Sequence, residues 1–345
     1  MMPDSKVWTA NMPQSHKTDE IRLPTATVAD TAMRALVSLG LGNADARAVL
    51  AVLMYAQVRG STQGLIKIVE RTVFPSPAAT PMAVNQAFPG VAQLAANGNA
   101  GMVVMTRASE LATQMAASNG IGLVCTHGTA SSTGAIGFYA GKIAQAGMIG
   151  VVLAGSPPTT AVYGGVDPVL GTNPIAIAAP GSHEALVFDM ATAATTVFGL
   201  IAARDAQQAI EPGLAWDPNG QDTRDAGAAL QGAIRTFGGA KGSGLALMFE
   251  ILTATLSGAG LPGDSVDNRG NFVLAINPEA TVGLAAFKDR LEALTDNVLA
   301  SRPSDPGIPV RLPGQGARER ARQVEDSGLI SVSERVWLAL QSMAS

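Results

Sequence analysis

Cysteine is almost absent from this chain of 345 residues: Cys125 stands alone. A single thiol excludes an internal disulfide and fits a reducing compartment. Histidine is nearly as scarce, with three in the chain, His16, His127 and His183. They are widely separated and no cysteine cluster accompanies them, so no metal site is expected. Charged residues make up only 14% and the net charge is −4. That balance lacks the clustered Lys and Arg of a nucleic-acid surface. No apolar run reaches the ~18 residues that a membrane helix needs. The first residues carry no basic stretch followed by an apolar run, so no signal peptide is expected. These absences predict a soluble, cytoplasmic protein. Internal repeats and low-complexity segments are missing as well.

What is present points to an α/β protein. The chain is 47% hydrophobic with 38 glycines and a 4% aromatic share. That is enough apolar residue for a large core in one or two domains, joined by many tight turns. Residues 1–22 are polar without a period and read as a flexible tail. A first helix is expected from near Thr27, with Asp30 three residues on, to Gly40. Asn43 is placed to cap a second helix that ends by Gly60. Ser331 and Glu334 read as the capping box of the last helix. In between, helix and strand patterns alternate. A helix over 101–118 leads to a strand over 121–126. A loop through Ser132 leads to a helix from Gly134 and a strand over 148–154. Later come a helix after Thr195, a surface loop over 210–225 and a long apolar helix over 242–256. A strand over 271–276 and a helix over 282–299 follow.

The stretch from Leu170 to Thr195 organises the chain. It reads Gly171-Thr172-Asn173-Pro174 before one short apolar run, and Asp189-Met190-Ala191-Thr192 at the end of the next. The pattern predicts two buried strands with tight connections. With Gly238-Gly239-Ala240-Lys241-Gly242-Ser243-Gly244 and Leu312-Pro313-Gly314, these motifs resemble the malate/L-lactate dehydrogenase 2 family. The resemblance runs from about Leu23 onward. That family includes reductases of 2-oxo acids and of cyclic imino acids, and ureidoglycolate and sulfolactate dehydrogenases.

The resemblance implies a nicotinamide-binding fold with a mixed central sheet and a homodimer. No Gly-x-Gly-x-x-Gly follows a strand here, so a Rossmann site lacks its fingerprint. The implied organisation is a helical substrate or cap domain from residues 23–75 with 310–345, and a cofactor-binding α/β domain over 76–309. Implied cofactor contacts are Ser132, Thr133, Gly134, Ala135 and Ile136, then Met190, Ala191 and Thr192. Lys241 and a C-terminal segment with Gly314, Gln315, Gly316, Arg318 and Arg320 complete them. Arg318 and Arg320 suit a 2′-phosphate, which favours NADP with NAD as the alternative. They equally suit a solvated helix face beside Glu319.

The catalytic side departs from the family. Members usually carry Ser-His-Gly after the second helix, with an Arg four residues beyond the His. Here Thr62 and Gln63 stand at the Ser and His positions, and Lys67 where the Arg would bind a substrate carboxylate. Phe198-Gly199-Leu200 replaces a His-Gly-Asp whose Asp supports the catalytic His. Ser132 stands where many members carry a further His. Gln does not titrate and cannot act as a general acid. Substrate contacts are assigned to Lys67, Thr172, Phe198 and Gly199. His127 follows a strand near the cofactor loop and is the candidate replacement acid beside a plain polar-loop reading. Tyr139 and Tyr163 are further donors to consider. Cys125 reads as a buried small residue.

Hydride transfer to the carbon next to a carboxylate is the expected reaction. A protonated cyclic imine brings its own proton, so a site without an acid favours pyrroline- or piperideine-2-carboxylate. The alternative is a 2-hydroxy-acid dehydrogenase of malate, lactate or ureidoglycolate type. A third reading is a cofactor-binding protein without dehydrogenase activity. The expected partner is a small carboxylate, with no nucleic acid and no membrane.

Overall fold

The computed structural model describes residues 20–261, 264 and 268–345. Residues 1–19 of the expected tail, with His16, lie outside the described residues. The rest of it is ordered: Glu20–Pro24 is a strand, paired antiparallel with Leu329–Ser333.

A mixed seven-stranded sheet forms the centre, as the alternation of helix and strand patterns predicts. Across it run Ala83–Phe88, Val91–Ala95, Ile121–Thr129, Arg269–Ile276, Ile149–Ala154, Ile175–Ala179 and Leu186–Met190. Val91–Ala95 and Ile121–Thr129 are parallel, and the other neighbours are antiparallel. The helices Gly101–Asn119 and Gly137–Gln145 cover one face. In the first, Met102, Met105, Ala108, Ala112, Met115 and Ala116 recur at helical spacing and are buried. It ends at Gly120, whose φ of 77° is the left-handed cap that glycine adopts without strain.

The pair expected as two buried strands lies at the sheet edge instead. Ala176 and Ala178 are buried, but the directly paired Ile177 and Phe188 are 39% and 38% exposed. Alternate side chains point to opposite faces, and only one face here is covered by a helix.

The first two helices are Thr25–Ser38 and Asn43–Gln57. Asn43 is the first helical residue rather than the cap, and Gly42 precedes it without a side-chain bond. The last helix is Glu334–Met343, and its cap is Ser333, which accepts from the Val336 amide. Ser331 is spent in the strand before it. Ser333→Ala should therefore cost about 1 kcal/mol, and Ser331→Ala should leave that cap intact. Denaturant midpoints of the two variants check this.

One contiguous core runs from Val28, Leu53 and Leu340 through to Val124, Val152 and Val273. A second, smaller core holds Ala193, Leu200, Ala203, Ile210, Ala215 and Ile234. It belongs to the segment around helices Val197–Asp205 and Ala226–Gln231 and a sheet of five short strands. The stretch 210–225, expected as surface loop, contributes strands Ala215–Trp216 and Asp222–Thr223 to that sheet. The long helix expected over 242–256 is Ala240–Glu250, continued by a π-helical turn, Ile251–Thr255, against the central sheet. Leu200, at the place of a family Asp, is 1% exposed and serves this second core.

Candidate active site

Lys67 sits on the short helix Ile66–Val69, between Leu65 and Ile68, which are fully buried. Burial of its apolar neighbours drags the lysine in with them, and it is 1% exposed. Its Nζ donates to Ser132 Oγ at 2.9 Å and lies 3.8 Å from the centre of the Phe198 ring. Thr72 ties the two segments: its amide donates to the Lys67 carbonyl, and its own carbonyl accepts from the Ser132 amide. Phe198 comes from the helix Val197–Asp205, where Thr196 Oγ1 accepts from the Gly199 amide. The contact thus joins the helix Ile66–Val69 to the helix Val197–Asp205.

Two effects act on the Lys67 amine. Burial strips water from the ammonium, and the Arg269 guanidinium repels it. Together they bring its pKa down to about 7. Arg269 opens the strand Arg269–Ile276, and it lines the same cleft as Lys67, Ser132 and Phe198. It was not singled out from the sequence, where the strand reads as beginning at Asn271.

Gln57 holds the loop that carries Thr62, Gln63 and Lys67. Its Oε1 accepts from the Leu65 amide at 3.0 Å and its Nε2 donates to the Ser331 carbonyl at 2.8 Å. Thr62 is exposed and Gln63 half-buried, both on the cleft wall.

Residues 132–136 continue the cleft lining from the Ser132 that bonds Lys67. Tyr139 is fully buried, and its hydroxyl donates to the Thr133 carbonyl at 2.8 Å. That bond removes it as a proton donor. The helix expected from Gly134 starts at Gly137, whose amide donates to Asp189 Oδ2 at 2.8 Å. Asp189 is exposed along the cleft as a residue, but the protein packed around its carboxyl limits solvation there and raises it to about 6. Among the described residues, the hydrogen bonds leave the amides of Ala135 and Ile136 without a protein acceptor. Open amides before a helix suit an anionic group. Beyond them the cleft carries Gly314, Gln315, Gly316, Arg318 and Arg320. All but Gly314 lie on the helix Gln315–Ser327. Arg320 Nε donates to the Arg59 carbonyl at 2.7 Å, and Arg318 stands 3.7 Å from Glu184. This donor set fits a dinucleotide: open amides and cations line the same cleft.

Thr172, Met190, Ala191 and Gly199 also line the cleft. Three candidates do not. Thr192 is fully buried and donates to the carbonyls of Thr172 and Asn173, so it braces the turn behind the cleft. Lys241 is exposed at the start of the helix Ala240–Glu250, off the cleft. His127 lies within the strand Ile121–Thr129, opposite Ala95, and not on the cleft. The strand runs three residues beyond its expected end, which turns the supposed loop histidine into a sheet residue. Tyr163 is 69% exposed and His183 sits on an exposed turn at the cleft's edge. Burial pushes the Cys125 thiol up to about 11, in keeping with an inert buried residue.

The Gly-Thr-Asn-Pro motif has a structural role that its sequence conceals. Asn173 adopts a φ of 37°. Its Nδ2 donates to Glu250 Oε2 at 2.7 Å and to the Ala246 carbonyl at 2.9 Å. Among the described residues no group of three His, Cys, Asp or Glu side chains is placed to hold a metal ion. No helix among them is long and apolar enough to cross a membrane.

Comparison with known proteins gives a consistent result. The profile of a family described as malate/L-lactate dehydrogenase matches residues 23–341. An L-sulfolactate dehydrogenase of Methanocaldococcus jannaschii is 36% identical over 223 residues, 62% of this chain and 64% of that protein. The chain's match thus spans under two thirds of that relative's length. A Delta(1)-pyrroline-2-carboxylate/Delta(1)-piperideine-2-carboxylate reductase of Pseudomonas putida is 32% identical, over 77% of this chain and 78% of that protein. The crystal structure of a dehydrogenase from Sinorhizobium meliloti superposes with a TM-score of 0.86 at 28% identity, covering 95% of this chain and 99% of that one.

Proposed function

The chain belongs to the malate/L-lactate dehydrogenase family, and from that premise we propose that it reduces, and in reverse oxidises, the carbon next to a carboxylate in a small acid. A nicotinamide dinucleotide supplies or accepts the electrons. The observation that carries this reading is a cleft lined by Lys67 and Arg269 together with Ala135 and Ile136, whose amides are open. The amides and the arginines of the helix Gln315–Ser327 suit the dinucleotide, without a Rossmann turn. Arg318 and Arg320 favour NADP over NAD. The unit formed by 23–75 with 310–345 caps the α/β unit over 76–309.

The substrate best matched is a 2-oxo acid or its 2-hydroxy acid. Lys67 and Arg269 already repel one another. A 2-oxo acid brings only negative charge to the Lys67 ammonium, whereas a cyclic iminium carboxylate sets a further cation beside it. The cyclic imino acid stays as the competing substrate. Its supports are the non-titrating Thr62 and Gln63 and the likeness to the Pseudomonas putida reductase. Homodimerisation would cover the open side of the sheet edge, where Ile177 and Phe188 are exposed.

The test follows oxidation of NADH and of NADPH with pairs of 2-oxo and cyclic imino acids of equal size. Faster turnover of the 2-oxo acids, with NADPH preferred, is expected. Imine-only turnover would replace the substrate reading. Binding of NADPH without oxidation across the panel would replace the enzyme with a cofactor-binding protein.

A further inference from the structure

Lys67 occupies a place where the family resemblance expects a carboxylate-binding arginine, yet its surroundings are those of an acid–base group. Its amine meets a hydroxyl and an aromatic face, and the charged group that acts on it is a second cation. A carboxylate anchor is better served by the planar fork of arginine, and Arg269 brings one to the same cleft. The family's histidine positions hold Gln63 and Ser132, neither of which titrates in the working range. Tyr139 is committed to the Thr133 carbonyl, and His127 is off the cleft.

We propose that Lys67 is the catalytic acid of this site, giving its Nζ proton to the oxygen of a 2-oxo acid and recovering it in the reverse reaction. The proposal rests on the reading of the cleft as an oxidoreductase site. Ser132 is the positioning residue. Its Oγ accepts from Lys67 Nζ and from the Gly134 amide at 3.2 Å, so the amine is aimed by a fixed partner. A reduced nicotinamide bound in the cleft would supply the hydride, two electrons and one hydrogen, that the carbonyl carbon takes up. The carbon–oxygen π pair moves onto oxygen, the Lys67 N–H bond breaks and an O–H bond forms. The amine is left neutral and takes a proton back from solvent. Losing the family histidine is thereby offset by a lysine that the fold has desolvated. An amine that titrates near neutral pH is suited to this exchange.

Among the described residues, Arg269 is the charged group that acts on the amine. Arg269 reaches it from the central sheet and stays charged at all working pH. Asp189 is not among the groups acting on the amine, but it lines the cleft beside Gly137 with its carboxyl raised to about 6, and would shape the acid limb of a pH profile. Lys67 would set the alkaline limb.

Two measurements test the assignment. Lys67→Met should lower kcat on a 2-oxo acid by roughly 100- to 10,000-fold. Turnover of a cyclic imine, which carries its own proton, should change less than about tenfold. The alkaline fall of kcat/KM for the 2-oxo acid should vanish, and methylammonium should restore part of the rate. Equal losses on both substrates, or an alkaline limb that persists, would overturn the role. The second readout needs no turnover. The chain has few lysines, so a 15N-lysine NMR titration of the whole protein resolves each amine. One signal should titrate near neutral pH and be missing from Lys67→Met. If Lys67 titrates in the ordinary lysine range, the proposal fails whatever the substrate. If the signal is present but no 2-oxo or imino acid is reduced, the oxidoreductase reading fails instead.

Discussion

Lys67→Met is expected to make the protein more stable near neutral pH while it removes the acid from the cleft. The folded-state pKa of about 7 lies below the ordinary 10.5. Between those values the unfolded chain holds a proton that the folded chain has released, so stability rises with pH across that window. Below pH 7 the full cost of burying the ammonium is present. The gap corresponds to about 5 kcal/mol. Methionine keeps most of the lysine's apolar length, and it loses the Ser132 bond and the Phe198 contact, each worth about 1 kcal/mol. The expected net gain is roughly 3 kcal/mol at pH 6, shrinking to nothing or reversing by pH 10.5. Urea midpoints at the two pH values measure it. A variant that is less stable at pH 6 would mean that the ammonium is well solvated, contrary to its burial. A cleft residue that lowers stability is what a functional site leads one to expect.

Gly270→Ala should have the opposite effect and a larger one on the fold. Gly270 lies in the strand Arg269–Ile276, beneath the π-helical turn Ile251–Thr255. A Cβ there would stand 1.8 Å from the Thr253 carbonyl oxygen and 2.3 Å from Ser257 Oγ. The first of these is backbone and cannot swing aside, so the turn must lift off the sheet. We expect a loss of about 4 kcal/mol, or no folded protein at all. Gly155, which lines the cleft, donates its amide to the Gly270 carbonyl at 2.9 Å, and Arg269 is the adjacent residue. Any protein that does fold should therefore show a raised KM. Gly244→Ala is the control. Nothing lies within 4 Å of a Cβ built there, and alanine in a helix gains up to about 1 kcal/mol over glycine. Equal denaturant midpoints for the two alanine variants would show that the turn yields easily.

The two residues act on one stretch of chain. Arg269 lowers the Lys67 pKa, and Gly270 lets that strand approach the π-helical turn. Close packing at Gly270 thus fixes where the second cation of the cleft stands. Gln57 does the same for the first, because it hangs the loop of Lys67 from the C-terminal strand Leu329–Ser333.

Much of this architecture is written in local pattern. The apolar spacing of Met102, Met105, Ala108 and Ala112 specifies a helix in any context. Glycines with left-handed backbone, such as Gly120, stop such helices where the pattern breaks. The separated motifs around Thr172, Met190, Lys241 and Gly314 identify the family, because motif order survives when residues between them drift. Local pattern also shows what the chemistry has lost, since a Gln or a Leu in place of His or Asp is visible without coordinates. It misleads where two elements compete for one residue. Ser331 fits a capping box, but the strand with Glu20–Pro24 claims it, and Ser333 caps instead. His127 fits a strand-end loop until pairing with Arg269–Ile276 extends the strand to Thr129.

What only the tertiary structure decided is the character of Lys67. In the sequence it is a cation standing where an arginine is expected, and a cation it would remain in water. Its burial comes from Leu65 and Ile68, its aromatic face from Phe198 on the helix Val197–Asp205, and its repulsion from Arg269 on a strand of the central sheet, all distant from one another in sequence except the first two. Desolvation and charge repulsion depend on distance through space, and distance along the chain says nothing about them. The sequence by itself determined the main helices and central strands and the family they belong to, because apolar periodicity is local, whereas short strands such as Glu20–Pro24 and Ala215–Trp216 exist only through pairing with distant partners. The electrostatics of the site were decided by folding, which brought the amine, the guanidinium and the ring into one cleft and buried the amine there.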